Sequence, residues 1–429
     1  MELSARLTQL RTGFSRTFWI ANTLELFERL AFYGSKAILA VYLVEKVGLG
    51  TTGNTLVGLY GFAIFFLPIL AGTVVDRYGF KKSLAACFTI FSLGYFSVGL
   101  AGLSAGRRIV ESVGSLPYVV GALLLTAIGG SLIKPCIVGV VARTTTETTK
   151  SLGYSIYYTL VNLGGALGPV LALQVREGLG IEYVLVMSAL VSLANLLATL
   201  VFFKEPGLVG QAGPRRTFGR VLRDMFVVFG NFRFISFLII FSGFWIMFWQ
   251  IFFSLPFYVR DVLHFPRFEW FETVGPCVII TMTVPVTALM KKIRPITAMT
   301  MGFAVASASW LLVAASPTIP LTVFAIACFA LGEAMQAPRF YEYVADLAPK
   351  EQVGTFMGFA FLPVAVGSLV GGWLSGWLVQ HYLKEGGRRP EGMWIVLAVI
   401  GLISTLLMIA HDRFFSDRKP AKPSPPALS

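Results

Sequence analysis

The sequence predicts an all-α membrane protein of about twelve spanning helices, arranged as two six-helix bundles. Three observations carry the prediction. Hydrophobic residues make up 56% of the chain and charged residues only 13%, a balance far from that of soluble domains. Apolar stretches of about 20 residues, each long enough to cross a hydrocarbon core of roughly 30 Å, recur along the whole length. One long basic interruption falls midway and leaves six stretches on either side.

In the first half the spans are expected near 17–44, 54–75, 83–104, 116–142, 152–175 and 183–203. The first begins behind Arg16, the second stops at Asp76-Arg77, and the third lies between Lys82 and Arg107. The fourth ends at Arg143, the fifth lies between Lys150 and Arg176, and the sixth runs to Lys204. In the second half the spans are expected near 233–259, 271–290, 295–316, 319–345, 353–382 and 391–411. Residues 1–203 therefore form an N-terminal bundle, 204–232 a basic linker, 233–412 a C-terminal bundle and 413–429 a tail. In the linker, Pro206, Gly207, Gly210, Gly213 and Pro214 read as flexible connection. The part after Thr217 is either a short amphipathic helix on an anionic leaflet or a solvated basic loop that only sets topology.

The net charge of +13 invites a nucleic-acid partner, but its placement argues against one. Lys and Arg concentrate in the loops that share a side with both termini, as the positive-inside rule predicts. Both termini are therefore expected in the cytoplasm, in a plasma membrane of bacterial type. No cleavable signal is expected, because the apolar run behind Arg6, Arg11 and Arg16 is too long and lacks a small-residue cleavage site. Cys87, Cys136, Cys277 and Cys328 are scattered through spans without metal-ligand spacing and read as apolar fillers. No metal, no organic cofactor and no nucleophile–base set is expected, so an enzyme is not.

The first span is the exception to this apolar pattern. Glu25, Glu28, Arg29, Phe32, Tyr33 and Lys36 fall within an arc of roughly 140° on a helix. Each unpaired charge at mid-membrane costs at least about 2.5–3.5 kcal/mol, so these groups must be paired, hydrated or protonated. Lys134 in the fourth span and Glu333 in the tenth are the other mid-span charges of interest. Three acids and three bases sum to zero. Protonating one acid leaves a surplus positive charge that an anionic cargo group could neutralise, which couples the two ligands. Several plainer roles compete. Glu28 and Arg29 could pair with Lys134 and lock two helices. Asn162 could be interhelical glue, Tyr33, Tyr157 and Tyr158 interface aromatics, and Trp245 and Trp249 packing.

Two motifs carry a family resemblance. Gly72-Thr-Val-Val-Asp76-Arg77-Tyr-Gly79-Phe-Lys81-Lys82 follows the second span and resembles the loop motif of the major facilitator superfamily. The six-plus-six layout suits that fold. The resemblance implies that Gly72, Asp76, Arg77 and Gly79 brace helix ends in one conformation. The corresponding loop of the second half, around Lys291, Lys292 and Arg294, lacks the aspartate.

The second resemblance is to the proton-dependent oligopeptide transporters. Glu25, Glu28, Arg29, Tyr33 and Gly34 match that family's first-helix motif, whereas Leu30 and Phe32 depart from it. Similar fragments follow in order: Lys134-Pro135, Ser155 through Tyr158 to Asn162 and Gly164, Phe244-Trp245 with Gln250, Gly332-Glu333 to Pro338, and Met357-Gly358 with Phe361-Leu362. The resemblance implies proton-coupled uptake of di- or tripeptides, with the proton as the coupling ion. Glu25, Glu28, Arg29 and Lys134 would handle the proton. Arg29, Tyr33 and Lys134 would hold a carboxylate, and Asn162 and Glu333 an amino terminus. Tyr158 and Trp245 complete the expected cargo site.

The chain also departs from the family where peptide is gripped. Phe65 replaces a tyrosine, Trp249 an acidic residue, Lys36 the arginine that pairs with it, Gly275 an asparagine and Ala360 a tryptophan. The outer ion-pair gate is thus expected to be absent, and cargo to broaden to other carboxylate-bearing molecules. A monomer in the lipid bilayer is expected. The competing readings are an exporter or proton-independent exchanger, and a membrane-embedded sensor that binds without transporting.

Overall fold

The computed structural model describes residues 13–146, 148–206, 218–348, 353–384 and 389–416, and among them there is no strand. The Gly/Pro-rich half of the linker and the tail from 417 onward lie outside the described residues.

The first half begins with α1 (Arg16–Val41), where the Ser15 side chain accepts from the Phe18 amide and satisfies a donor the helix leaves open. It ends in a π turn at Tyr42–Lys46. α2 (Thr51–Phe66) and α3 (Pro68–Tyr78) form one span bent by 44°, because Pro68 has no N–H to continue the ladder. α4 (Phe80–Leu100) follows after Gly79 alone, whose φ of +81° is open to glycine without a Cβ penalty. After the short α5 (Arg107–Val113), α6 (Ser115–Ser131) and α7 (Ile133–Thr144) share one span. The break between them falls just ahead of Pro135, which cannot donate to the Ser131 carbonyl. α8 (Lys150–Gly178) and α9 (Ile181–Phe202) complete six spans.

α10 (Phe218–Phe229) shows that the linker after Thr217 is helical, with Phe226, Val227 and Phe229 exposed. The second half comprises α11 (Phe232–Phe253), a short α12 (Leu255–Asp261), α13 (Glu269–Met290), α14 (Pro295–Ala315) and α15 (Ile319–Leu347). α16 (Val353–Gly358) leads through a 3-10 turn into α17 (Leu362–Leu378), and α18 (Pro390–Ser416) closes the described chain.

Among the described residues, ten helical stretches are long and apolar enough to cross a membrane, and the bent α2–α3 pair makes eleven. At 26 residues α1 is long enough to be the twelfth; its charges are what set it apart. Cys87 and Cys136 are buried fillers, but Cys277 is exposed and fills nothing.

Within the first half, α1 packs on α8 and α9, and α4 on α6 and α9. Within the second, α14 packs on α15 and α18, α11 on α17, and α13 on α15. The halves meet along two seams, α2 against α17 and α8 against α13. Small residues let the backbones touch there. A Cβ on Gly58 would stand 2.7 Å from the Ser368 carbonyl oxygen and 2.8 Å from the Gly372 Cα. The Ser368 hydroxyl donates to the Gly58 carbonyl at 3.2 Å, and Gly165 meets Pro276 across the other seam. All of these contacts lie toward the end at which α1 finishes.

A Gly58→Val side chain would meet backbone rather than a yielding side chain, so it should wedge the α2–α17 seam open. Spin labels on α2 and α17 near this end should report a longer distance in the variant. An unchanged distance distribution would mean that the seam tolerates a side chain.

Candidate functional site

The arc of charges on α1 turns inward. Arg29 Nε lies 2.5 Å from a Glu28 carboxylate oxygen and 3.4 Å from one of Glu25, and its guanidinium sits 4.8 Å from the Phe32 ring centroid. Glu25, Glu28 and Arg29 are all buried. The (i, i+4) and adjacent spacings close this ion pair within one helix. The competing reading, a lock of Glu28 and Arg29 onto Lys134, is therefore not what forms. Lys134, placed at the start of α7 by the break before Pro135, donates instead to the Tyr157 hydroxyl at 3.2 Å. Arg29 and Lys134 line a cavity of about 350 Å³ with Phe32, Phe65 and Phe361, the last from the second half. With Arg29 held by two carboxylates, Lys134 is the cation that stays open to this cavity.

The remaining predicted residues are divided between two further cavities. One, of about 510 Å³, lies between the halves and is lined by Tyr33, Asn162, Phe248, Phe252, Glu272 and Glu333. The other, of about 610 Å³, is lined by Tyr158, Trp245, Glu333 and Gln336. Glu333 is common to both. Asn162 Nδ2 donates to the Tyr158 carbonyl at 2.9 Å. Arg339, the cation nearest to Glu333 along its helix, turns away to pair with Glu342 at 2.5 Å and to donate to the Ile293 carbonyl.

The positions that depart from the peptide-transporter pattern form a different contact. The Lys36 ammonium lies 3.5 Å from the Phe252 ring centroid and 4.1 Å from that of Trp249. A cation–π contact between α1 and α11 thus stands where an ion pair was expected to be missing. Ion pairs between the halves do form, but farther out. Arg260 holds Glu45 through two bonds of 2.6 Å, Arg176 holds Glu269 at 2.5 and 3.1 Å, and Arg267 lies 2.8 Å from Glu177. Glu269 is fully buried, whereas the other two pairs are partly exposed and contribute at most about 1 kcal/mol each. Together with the glycine seams they tie the two halves at one end.

Sequence reasoning missed Glu272. The signal was present in Glu269-Trp-Phe-Glu272, two acids one turn apart at the start of an apolar span. Glu272 is 2% exposed, and neither carboxylate oxygen accepts a hydrogen bond. It changes the charge sum, because the inward-facing set is now four acids against three bases.

The loop motif is only partly realised. Gly79 supplies the left-handed turn, but Gly72 lies within α3, and a Cβ there would meet nothing within 4 Å. Asp76 and Arg77 are exposed, and Arg77 packs over the Tyr78 ring. The acid that braces the helix end is Glu205, which accepts from the Phe80 and Lys81 amides at 2.7 and 2.8 Å. These are the free donors at the start of α4, where a carboxylate is favoured. In the second half, the acid missing from the loop comes from α18, where Asp412 lies 3.0 Å from Arg294.

The sequence pattern of the Major Facilitator Superfamily matches residues 24–362 and 284–428. The chain belongs to this superfamily. Its solved relatives by fold include a POT family transporter in complex with 5-aminolevulinic acid, at a TM-score of 0.78 and 17% identity, covering 94% of this chain and 98% of that one. Another is a POT family transporter in complex with a thioalcohol-conjugated peptide, at 0.77 and 18%, covering 94% and 97%. By sequence, the chain is similar to Multidrug resistance protein MdtH of Escherichia coli O1:K1 / APEC and of Shigella boydii serotype 18. Each is 22% identical over 386 residues, covering 88% of this chain and 90% of the relative. This superfamily member thus has the fold of the peptide transporters and a distant sequence likeness to a multidrug resistance protein.

Proposed function

We propose that this protein is a secondary active transporter that takes up a small carboxylate-bearing molecule, a di- or tripeptide or a related compound, together with protons. The supporting observation is the cluster of Glu25, Glu28, Arg29 and Lys134 beside one cavity. These four sum to zero when ionised. One proton on Glu28 leaves a single positive charge, which Lys134 presents to a cargo carboxylate. Proton and cargo then each favour the other's binding.

With both termini in the cytoplasm of a bacterial-type plasma membrane, the two seams and three ion pairs close the outer end. Alternating access would exchange that closure for one at the inner end by rocking one half against the other. The reading assigns no catalytic step and no cofactor besides the proton, and the transporter acts as a monomer.

The test is uptake of labelled dipeptides and small organic acids into proteoliposomes under an imposed proton gradient. Uptake should rise with an inward gradient, and Lys134→Ala should lose it. Wild-type uptake that ignores the gradient would overturn the reading. The departures from the peptide-gripping residues and the multidrug relatives favour a second reading, export. Accumulation against an outward-directed cargo gradient only when protons move the opposite way would decide for it.

A further inference from the structure

We propose that α10, with the neighbouring ends of α11 and α18, is a docking surface for anionic phospholipid. It seats the connection between the two halves in the headgroup layer, at the end of the molecule where α1 begins and α18 finishes.

Residues 215–223 hold four arginines, followed by a single acid, Asp224. The helix that forms there has two distinct sides. Val228 is fully buried, whereas Phe226 is 78% exposed. Two positions apart on a helix, they point about 160° from one another. The Val228 side rests on both halves, since α10 packs on α3 of the first and on α11 and α16 of the second. The Phe229 ring meets Phe359 edge-on at 5.8 Å between centroids. The outward side does not stop with α10. It continues to Phe232 at the start of α11, 71% exposed, whose ring lies 6.4 Å from that of Phe415 near the end of α18. Phe415 in turn meets Phe414, which is exposed. Cations border these rings. Arg223 and Arg413 are exposed, and the Arg233 guanidinium lies 5.4 Å from the Phe415 ring centroid.

Neither water nor hydrocarbon suits this surface alone. Phenylalanine rings left in water forfeit their favourable transfer, and arginines drawn into hydrocarbon are costly. The boundary layer satisfies both, with rings among the acyl chains and guanidinium groups on the phosphates. α11 and α18 are both long and apolar enough to span, so the surface that joins them lies at the edge of the bilayer. Its charge selects among lipids. Each arginine near an anionic surface raises occupancy roughly fivefold, and a neutral headgroup offers no such gain. The acid beside Arg413, Asp412, is already held by Arg294 at 3.0 Å.

The test is amide hydrogen exchange over residues 218–229 of the full chain, reconstituted in vesicles of phosphatidylcholine alone or with phosphatidylglycerol added. Exchange in wild type should slow at least about tenfold when phosphatidylglycerol is present, as several arginines near the surface would give. High salt should shrink that gain, because it screens exposed charges. Arg223→Gln combined with Arg413→Gln should remove most of it, at roughly fivefold per arginine. Equal wild-type exchange in the two lipid compositions would overturn the proposal, and that comparison needs no variant to fold. A gain that survives both high salt and the double substitution would mark a contact indifferent to headgroup charge, and overturns it too. Protection that instead rises with the protein-to-lipid ratio in phosphatidylcholine alone would assign the surface to a second copy of the chain, and rejects the lipid.

Discussion

Glu28→Gln is expected to abolish proton-driven accumulation of cargo while leaving exchange of cargo across the membrane intact. The amide oxygen that replaces the carboxylate can still accept from Arg29, whose Nε lies 2.5 Å from the native Glu28 group, so the geometry of α1 survives. What is lost is a group that can be charged in one state and neutral in the other. The variant is fixed in the neutral form, which keeps the surplus positive charge at Lys134 and therefore keeps carboxylate binding. One charge moving through 100 mV supplies roughly 2.3 kcal/mol, or roughly fifty-fold in accumulation at a tenfold per 1.36 kcal/mol. In proteoliposomes at that potential, the accumulation ratio should fall from tens to near one in Glu28→Gln, with counterflow at the wild-type rate. A variant that still concentrates cargo would show that another acid carries the proton.

Arg29→Ala should have the largest effect on stability. It leaves Glu25 and Glu28, 0% and 2% exposed, facing each other without the cation that holds them. Removing one member of a buried ion pair costs about 3–5 kcal/mol, against a typical total of about 5–15 kcal/mol. The thermal midpoint should drop sharply, and adding Glu25→Gln and Glu28→Gln to Arg29→Ala should restore most of it. The three groups are in contact, so the effects should not add. A single Arg29→Ala variant that melts like wild type would mean that the cluster is not charged in the folded protein.

Much of this arrangement was legible before any tertiary structure. Length and apolarity located the spans, because crossing a hydrocarbon core requires a continuous run. Helical periodicity put Glu25, Glu28, Arg29 and Lys36 on one face of α1, and a charged face in a membrane has to turn inward. Both inferences are local and follow from repeat geometry. The break ahead of Pro135 that presents Lys134 was not among them, since the fourth span was expected as one run over 116–142.

Which groups meet across helices was decided only by packing. The predicted cargo residues separate into cavities because α2 and α17 touch backbone to backbone at Gly58 and Gly372 while Gly165 of α8 meets Pro276 of α13, a fit no single helix encodes. Asp76 had the expected spacing, yet Glu205, far along the chain, occupies the free amides of α4. Trp249 removed a carboxylate from α11, and the tertiary fold brought another, Glu272, from α13 into the electrostatic reach of Lys36. Sequence alone determined that this protein is a membrane bundle with a charged, inward-facing first helix. Tertiary structure decided which charges answer it, because electrostatic and packing energies depend on distance in space rather than separation along the chain.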